Sequence, residues 1–208
     1  KEKLIGISST KKELFGIFRR GGYSSKLVFD KHMKMKSLEG CRLTIGSYPP
    51  FTYNADGGGG KATVIPSQKN NLLHVSFSSE TFSIPPLTSR TTKFLSLPFP
   101  PGLKIEMSMD KLEGTIDKKS GEVLLKFESK FIFSIGAKLK FPELIVNSLL
   151  KTGKVKGKLH AEEGQVLQEN GKTKLVGIST IPITGNKILD TFLGLPNEAL
   201  AELKCEIK

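Results

Sequence analysis

Cysteine is scarce in this sequence: Cys41 and Cys205 are the only two among 208 residues. Two cysteines cannot form the disulfide framework of a small secreted domain, and they lie too far apart in the chain for a zinc knuckle. We expect two small core residues in a reducing intracellular compartment, such as a plastid. The alternative is one disulfide that ties an early strand to the last one.

Histidine is also scarce, and no residue near the three histidines in the sequence indicates catalysis. His32, His74 and His160 each lie on a predicted strand, without a second histidine or a cysteine at metal-ligand spacing. The chain contains no Gly-x-Ser-x-Gly nucleophile elbow. The sequence therefore predicts no metal site, no cofactor and no catalytic residue, and it favours a protein that is not an enzyme.

A phosphate-binding loop is missing as well, although the run NADGGGGKATV resembles one. A Walker loop needs a glycine five positions before the Gly-Lys pair and a hydroxyl residue after it. Here the pair is Gly60-Lys61, and the two required positions hold Ala55 and Ala62. We interpret the glycine run as a mobile loop tip between two strands, where glycine supplies positive φ.

Long apolar runs are lacking too, because Lys, Pro or Gly interrupts every candidate well before the ~18 residues of a membrane span. What the chain has in excess is positive charge, with 32 Lys and Arg against 20 Asp and Glu and a net charge of +12. This charge predicts an anionic partner, such as a lipid headgroup or an acidic protein. Only four residues are arginine, the side chain suited to bidentate base contacts, which argues against sequence-specific nucleic-acid binding.

Apolar residues recur with a period of two from Tyr23 onward, which is typical of half-buried strands. In KLVFDKHMKMKSL, Met33 and Met35 alternate with lysines. Ser120-Gly121 and Asn170-Gly171 are the strongest hairpin signals. The sequence predicts a mainly β fold, an antiparallel β-barrel or two-layer β-sandwich, as a single domain over 23–208 after an amphipathic basic segment at 1–22.

Three short capping helices are predicted, near 10–20, 142–151 and 186–194. The first carries Phe15 and Phe18 on one side of a basic segment. The second begins at Pro142 and has leucines at helical spacing. The third has Asn186 as its N-cap and Gly194 as its stop. Such helices plug the ends of a β shell or cover a ligand cavity.

Two surfaces are candidates for function. The first is apolar and comprises a proline-rich loop and the N-terminal helix: Phe94, Leu95, Leu97, Phe99, Phe15 and Phe18. The second is a cluster of lysines around the predicted helix at 142–151: Lys138, Lys140, Lys151, Lys154, Lys156 and Lys158. Together they favour a lipid-binding or apolar-ligand-binding domain that acts at an anionic membrane surface. The alternative is a scaffold or assembly factor that docks an acidic protein.

Overall fold

The computed structural model describes residues 32–67 and 71–208, which form fifteen strands and one helix. The elements are β1 (His32–Ser37), β2 (Cys41–Ile45), β3 (Phe51–Tyr53), β4 (Gly59–Pro66), β5 (Leu72–Phe77), β6 (Thr92–Phe94), β7 (Leu97–Pro98), β8 (Leu103–Asp117), β9 (Val123–Ile135), β10 (Leu139–Lys140), β11 (Leu144–Lys151), β12 (Lys154–Lys156), β13 (Ala161–Glu163), β14 (Lys172–Ile181), α1 (Lys187–Leu193) and β15 (Asn197–Ile207). The helix predicted near 10–20, with Phe15 and Phe18, lies outside the described residues.

The predicted mainly β, antiparallel architecture is confirmed. In β1 the side chains of Met33 and Met35 are buried while those of Lys34 and Lys36 are exposed, as a half-buried strand requires. The predicted hairpin turn at Ser120-Gly121 joins β8 to β9, and Gly121 has a positive φ of 72°. Asn170-Gly171 likewise forms the tight turn before β14.

Eight strands form a closed ring in the order β1-β4-β5-β8-β9-β11-β14-β15, and β15 pairs with β1 to complete it. The ring is irregular because β15 has two partners on the same side. Its last residues pair with β1, from Met35↔Ile207 to Ser37↔Cys205. Its first residues pair with β2, from Ile45↔Ala199 to Arg42↔Glu202. A second path, β2-β3-β6-β7, therefore branches from the ring at β15.

Two hydrophobic cores fill the inside of this arrangement. The first, which we call the ring core, lies among the strands nearest β1, β4 and β5 and includes Met35, Ile116, Leu125 and Ile207, all at most 1% exposed. The second, the helical-end core, lies where β2, β3 and β6 face the long strands, and α1 covers it with Leu189 and Leu193. The fold thus combines a barrel-like half with a sandwich-like half.

Because all these neighbours pair antiparallel, their connections gather at two opposite ends of the fold. One end, the helical end, holds the β2–β3 loop, the β6–β7 turn, the β9–β10 connection and the segment 182–196 with α1. The opposite end, the ring end, holds the β8–β9 turn at 118–121 and the β4–β5 connection.

The helix predicted at 142–151 is wrong, since these residues form strand β11. Leu144, Val146, Ser148 and Leu150 are buried in strict alternation with exposed neighbours. The run FPELIVNSLLK satisfies helical spacing and strand spacing at once, which is a known ambiguity of short apolar runs. Eight ladder pairs with β9, from Leu144↔Phe131 to Lys151↔Leu124, decide the outcome.

The glycine run is only partly a loop tip. Residues 54–57 make the turn, but Gly59 and Gly60 belong to β4. A Cβ on Gly59 would lie 2.1 Å from the carbonyl oxygen of Met35, and one on Gly60 would lie 2.7 Å from Phe82 Cα. Glycine is required here for close backbone approach, in addition to turn formation.

Replacing Gly59 with alanine should lower the free energy of unfolding by more than about 3 kcal/mol, because backbone strain and a backbone clash add together. Gly153→Ala is the matched control, since Gly153 also has positive φ but nothing within 4 Å of its added Cβ. The control should lose about 1–2 kcal/mol. Urea unfolding measures both, and equal losses would contradict the role of close packing at Gly59.

Candidate functional site

Helix α1 organises the helical end. Asn186 is its N-cap, and its side-chain oxygen accepts a hydrogen bond from the Leu189 amide at 3.0 Å. Gly194 ends the helix in the left-handed conformation, with φ 63°. The helix predicted near 186–194 is therefore confirmed, including both of its caps.

The loop before α1 is fixed to the helix by Asp190. The Asp190 carboxylate accepts hydrogen bonds from the Thr184 hydroxyl at 2.6 Å, the Thr184 amide at 2.8 Å and the Gly185 amide at 3.0 Å. These bonds, those from Thr184 first, lower the pKa of Asp190 below its usual range. The carboxylate thereby holds α1 in one orientation over the helical-end core.

That orientation leaves a second apolar face of α1 in solvent. Leu189 and Leu193 are buried, whereas Ile188 and Phe192 are 71% and 56% exposed. Each pair is four residues apart, so each forms its own stripe along the helix. The Tyr48 hydroxyl donates to the Phe192 carbonyl at 2.6 Å and joins the β2–β3 loop to the exposed stripe. The presence of two apolar pairs in a seven-residue helix was the sequence signal for this surface.

The β6–β7 turn adds two exposed leucines. Leu95 and Ser96 both have positive φ, 50° and 66°, the conformation of the tight turns that suit twisted hairpins. Leu95 is 65% exposed and Leu97 is 69% exposed. Positive φ is uncommon for a bulky residue such as leucine. Local propensity therefore does not explain a leucine at this position.

Phe94 and Phe99 flank the turn and anchor it. Phe94 is half-buried, with its ring centroid 4.9 Å from that of Phe51. Phe99 is buried, contrary to the prediction that it lies in an exposed loop, because its ring packs nearly perpendicular to that of Phe51, with the ring centroids 5.4 Å apart. Of the predicted apolar loop, only Leu95 and Leu97 are available to a partner.

The lysines do not surround one corner. Lys138, in the β9–β10 connection, and Lys140, on β10, are exposed at the helical end beside exposed Ile135 and Leu139. Lys151 lies at the far end of β11, opposite Leu124. Lys140 pairs with Ser134, which lies on the same strand β9 as Leu124. The distance from Ser134 to Leu124 along β9 is roughly 33 Å, so the two lysines are far apart.

Lys154, Lys156 and Lys158 are exposed on a separate β-hairpin made of β12 and β13. The hairpin runs back along the outside of β14 toward the helical end. Lys154 lies directly opposite Glu163 in the hairpin ladder, so part of its charge is compensated. Lys156 lies opposite Ala161, and Lys158 is at the tip.

Glu198 fastens the tip of this hairpin. Its carboxylate accepts hydrogen bonds from the amides of Lys158 at 2.6 Å, His160 at 2.8 Å and Leu159 at 3.0 Å. Burial opposes ionisation, but these amides prevail and the pKa of Glu198 is lowered. A Cβ on Gly157 would lie 2.1 Å from the Glu198 carboxylate, so glycine gives the carboxylate access to the tip.

A cleft of about 380 Å³ lies between the hairpin and the outer face of β2 and β15. Lys174 is 3.0 Å from Glu162 and 3.8 Å from Glu202, and Arg42 is also 3.8 Å from Glu202. Two cations thus face two carboxylates. His160 borders the cleft, and its Nε2 atom is buried with no hydrogen-bond partner. This balanced network fits a structural role in seating the hairpin.

The remaining residues considered for catalysis have ordinary structural positions. Cys41 and Cys205 are free and buried, as predicted for core residues, and burial raises the pKa of both thiols. His32 and His74 are exposed on outer strand faces. Within 32–67 and 71–208, no three His, Cys, Asp or Glu side chains group as metal ligands.

A shallow groove of about 420 Å³ also lies on the outside of the ring, near the ring end. Ile65 and Leu124 border it and are 62% and 41% exposed. No helix in the described part of the chain has the length and apolarity to cross a membrane.

Comparison with known proteins finds no matching family model, curated protein or solved structure. Function must therefore be inferred from the arrangement of residues alone. The arrangement that stands out is the helical end, where exposed aliphatic and aromatic side chains lie close to lysines. Sequence reasoning identified Leu95, Leu97, Lys138 and Lys140 there, and it missed the outer stripe of α1.

The Glu198→Gln substitution should loosen the hairpin tip. The neutral side-chain amide is a weaker acceptor than the carboxylate, and its NH₂ group would face the backbone N–H groups of the tip, which are also donors. Amide hydrogen exchange at 158–160 should accelerate about tenfold or more. Glu163→Gln, on the exposed side of the same hairpin, should leave these rates unchanged.

Acid should have the same effect on the wild-type tip. A lowered carboxyl pKa stabilises the fold above the unfolded pKa, and this contribution is lost as pH falls through the folded value. NMR shifts of amides 158–160 should therefore titrate with a midpoint below the usual ~4.3 of glutamate. A midpoint above that value would show that Glu198 does not fasten the tip.

Proposed function

We propose that the protein binds lipid at an anionic membrane surface, with the helical end facing the membrane. The observation that carries this proposal is the number of large apolar side chains exposed at that end on several separate connections. They are Tyr48, Leu95, Leu97, Ile135, Leu139, Ile183, Ile188 and Phe192. Exposed apolar groups concentrated at one end mark interaction sites, whereas scattered single ones are normal.

Charge at the same end supports a membrane as the partner. Lys138, Lys140 and Lys187 are exposed among these apolar residues, and Lys158 is at the tip of the hairpin that runs toward them. Lysines near an anionic surface each contribute on the order of 1 kcal/mol to binding. Apolar side chains that enter the interface add the hydrophobic contribution, about 25 cal/mol for each Å² removed from water.

Replacing Ile188 and Phe192 with serine should reduce binding to liposomes that contain anionic lipid by tenfold or more, as judged by flotation. Both side chains are exposed, so the fold should persist. Ile65→Ser with Leu124→Ser is the matched control, since these residues have exposed apolar side chains near the ring end. Equal loss from the control would mean that the helical end is not the membrane-facing surface.

Reversing charge tests the electrostatic part. Lys154, Lys156 and Lys158 changed to Glu should abolish flotation, and so should Lys138→Glu with Lys140→Glu. Lys118→Glu with Lys119→Glu, at the ring end, should do much less. Wild-type binding should weaken between low and physiological salt as the screening length falls to ~8 Å. Salt-independent binding, or capture of one acidic protein in place of lipid, would contradict the proposal.

A further inference from the structure

One outer face of the ring carries lysines that lie side by side on neighbouring strands. The Lys34 amide donates to the Lys208 carbonyl at 2.6 Å, and the Lys208 amide donates back to the Lys34 carbonyl at 2.9 Å. On its other side, Lys34 pairs with Lys61 in the ladder between β1 and β4. Directly opposite residues of a sheet project to the same face. The outer surface therefore has a row of three lysines, all of them exposed.

Further lysines extend this row into a face. Lys36 lies two residues from Lys34 on β1, so its side chain projects to the same side of the sheet. Glu206 pairs with Lys36 on one side and with Lys172 on the other. Lys204 lies two residues before Glu206 on β15. We call six exposed residues the lysine face: Lys34, Lys36, Lys61, Lys172, Lys204 and Lys208.

The charge of this face is only partly neutralised. Asp56 lies 3.8 Å from Lys36, and Glu206 forms an ion pair with Lys208. Within the described residues, neither Lys34 nor Lys61 takes part in an ion pair. The hydrogen bond from Lys208, together with the positive charges of the neighbouring lysines, lowers the pKa of Glu206. The face thus favours negative charge.

The outer face of β8 and β9 shows the opposite arrangement. There the ladder places Glu113 opposite Lys126, and Lys111 opposite Glu128. Lys111 is also 2.7 Å from Glu113, and Lys126 is 2.5 Å from Glu128. Opposite charges on neighbouring strands stabilise a sheet, whereas like charges destabilise it. The row that contains Lys34 therefore lowers stability, and a partner that brings negative charge would relieve the repulsion.

The residue types of the face indicate the class of partner. Its outward positions 34, 36, 61, 172, 204, 206 and 208 are occupied by lysine and glutamate alone. Arginine and aromatic side chains, which grip phosphates and stack on bases, are therefore lacking there, and this disfavours a nucleic acid. A membrane anchor would need exposed apolar side chains. A second copy of this chain is disfavoured by the net charge of +12.

The shape of the face favours an extended partner. Neither of the two clefts described above is lined by these lysines, so a small anion would gain no enclosing pocket. Lys34 and Lys36 are roughly 7 Å apart along β1, and side chains at alternate positions of an extended peptide have the same spacing. We propose that the lysine face docks an extended segment of another protein that is rich in aspartate and glutamate.

The lysine face is separate from the surface proposed to bind lipid. Strand β15 begins next to α1 at the helical end, and Lys204 and Lys208 lie toward its other end. A membrane that contacts the helical end would leave this face in solution. The inference therefore goes beyond lipid binding and does not depend on it.

The test is binding of amidated, fluorescein-labelled decaglutamate to the full chain, measured by fluorescence anisotropy at low salt. Lys34→Gln with Lys61→Gln and Lys208→Gln should weaken binding about tenfold or more. Lys111→Gln with Lys126→Gln and Lys130→Gln is the matched control, because it removes three charges from the other outer face and should weaken binding at most threefold. Equal losses would mean that net charge alone binds the peptide and would overturn the inference.

Thermal unfolding provides a second readout of the same variants. The lysine-face variant should unfold roughly 1–3 °C higher than the wild type, because repulsion within the row is removed. The control variant should not gain stability, because its lysines lose carboxylate partners. A lower unfolding temperature for the lysine-face variant would show that the row is not under repulsion, and would remove the reason for a partner there.

Two further arms separate this partner from the alternatives. A thymidine oligonucleotide with ten phosphates should bind at least fivefold more weakly than decaglutamate, and tighter binding through the same lysines would overturn the inference in favour of nucleic acid. Flotation of the lysine-face variant with anionic liposomes should stay within about threefold of wild type, and a tenfold loss would assign the face to the membrane. The Ile188 and Phe192 variant should bind decaglutamate normally, so the two proposals fail separately.

Discussion

The double pairing of β15 is the interaction on which the rest of the structure depends. Its C-terminal residues hydrogen-bond to β1 and close the ring, while its N-terminal residues hydrogen-bond to β2 and start the second path. Between them, the Leu38 amide donates to the Lys204 carbonyl where the chain turns from one partner to the other. One long strand thus divides the interior into two cores.

The same division sets the character of the helical end. The side chains of the closed ring fill the ring core, but the second path through β2, β3 and β6 leaves the ring, and α1 covers the core beneath it. Helix α1 has seven residues and two apolar faces. One face covers the helical-end core, and the other is exposed to solvent. The proposed membrane-facing surface is therefore a consequence of how the second core is closed.

Sequence reasoning failed where one run of residues fits two structures. Leu144, Ile145, Ser148 and Leu149 fit a helix, yet Leu144, Val146, Ser148 and Leu150 fit a strand, and only the neighbouring edge of β9 distinguishes them. The prediction for Phe99 failed for a similar reason, because its burial depends on Phe51, which lies far away in the chain. The prediction of a lysine cluster was wrong for the same reason, because it depended on a helix at 142–151 that does not form.

By itself the sequence determined the properties that depend on near neighbours. These include the strand alternation of Met33 and Met35, the turns at Gly121 and Gly171, and both caps of α1, because turn and cap geometry is set within a few residues. Tertiary structure alone decided which strands meet, and hence that Phe99 is buried against Phe51 and that Lys140 and Lys151 lie far apart. Strand pairing joins residues distant in sequence, and no local pattern records the partner.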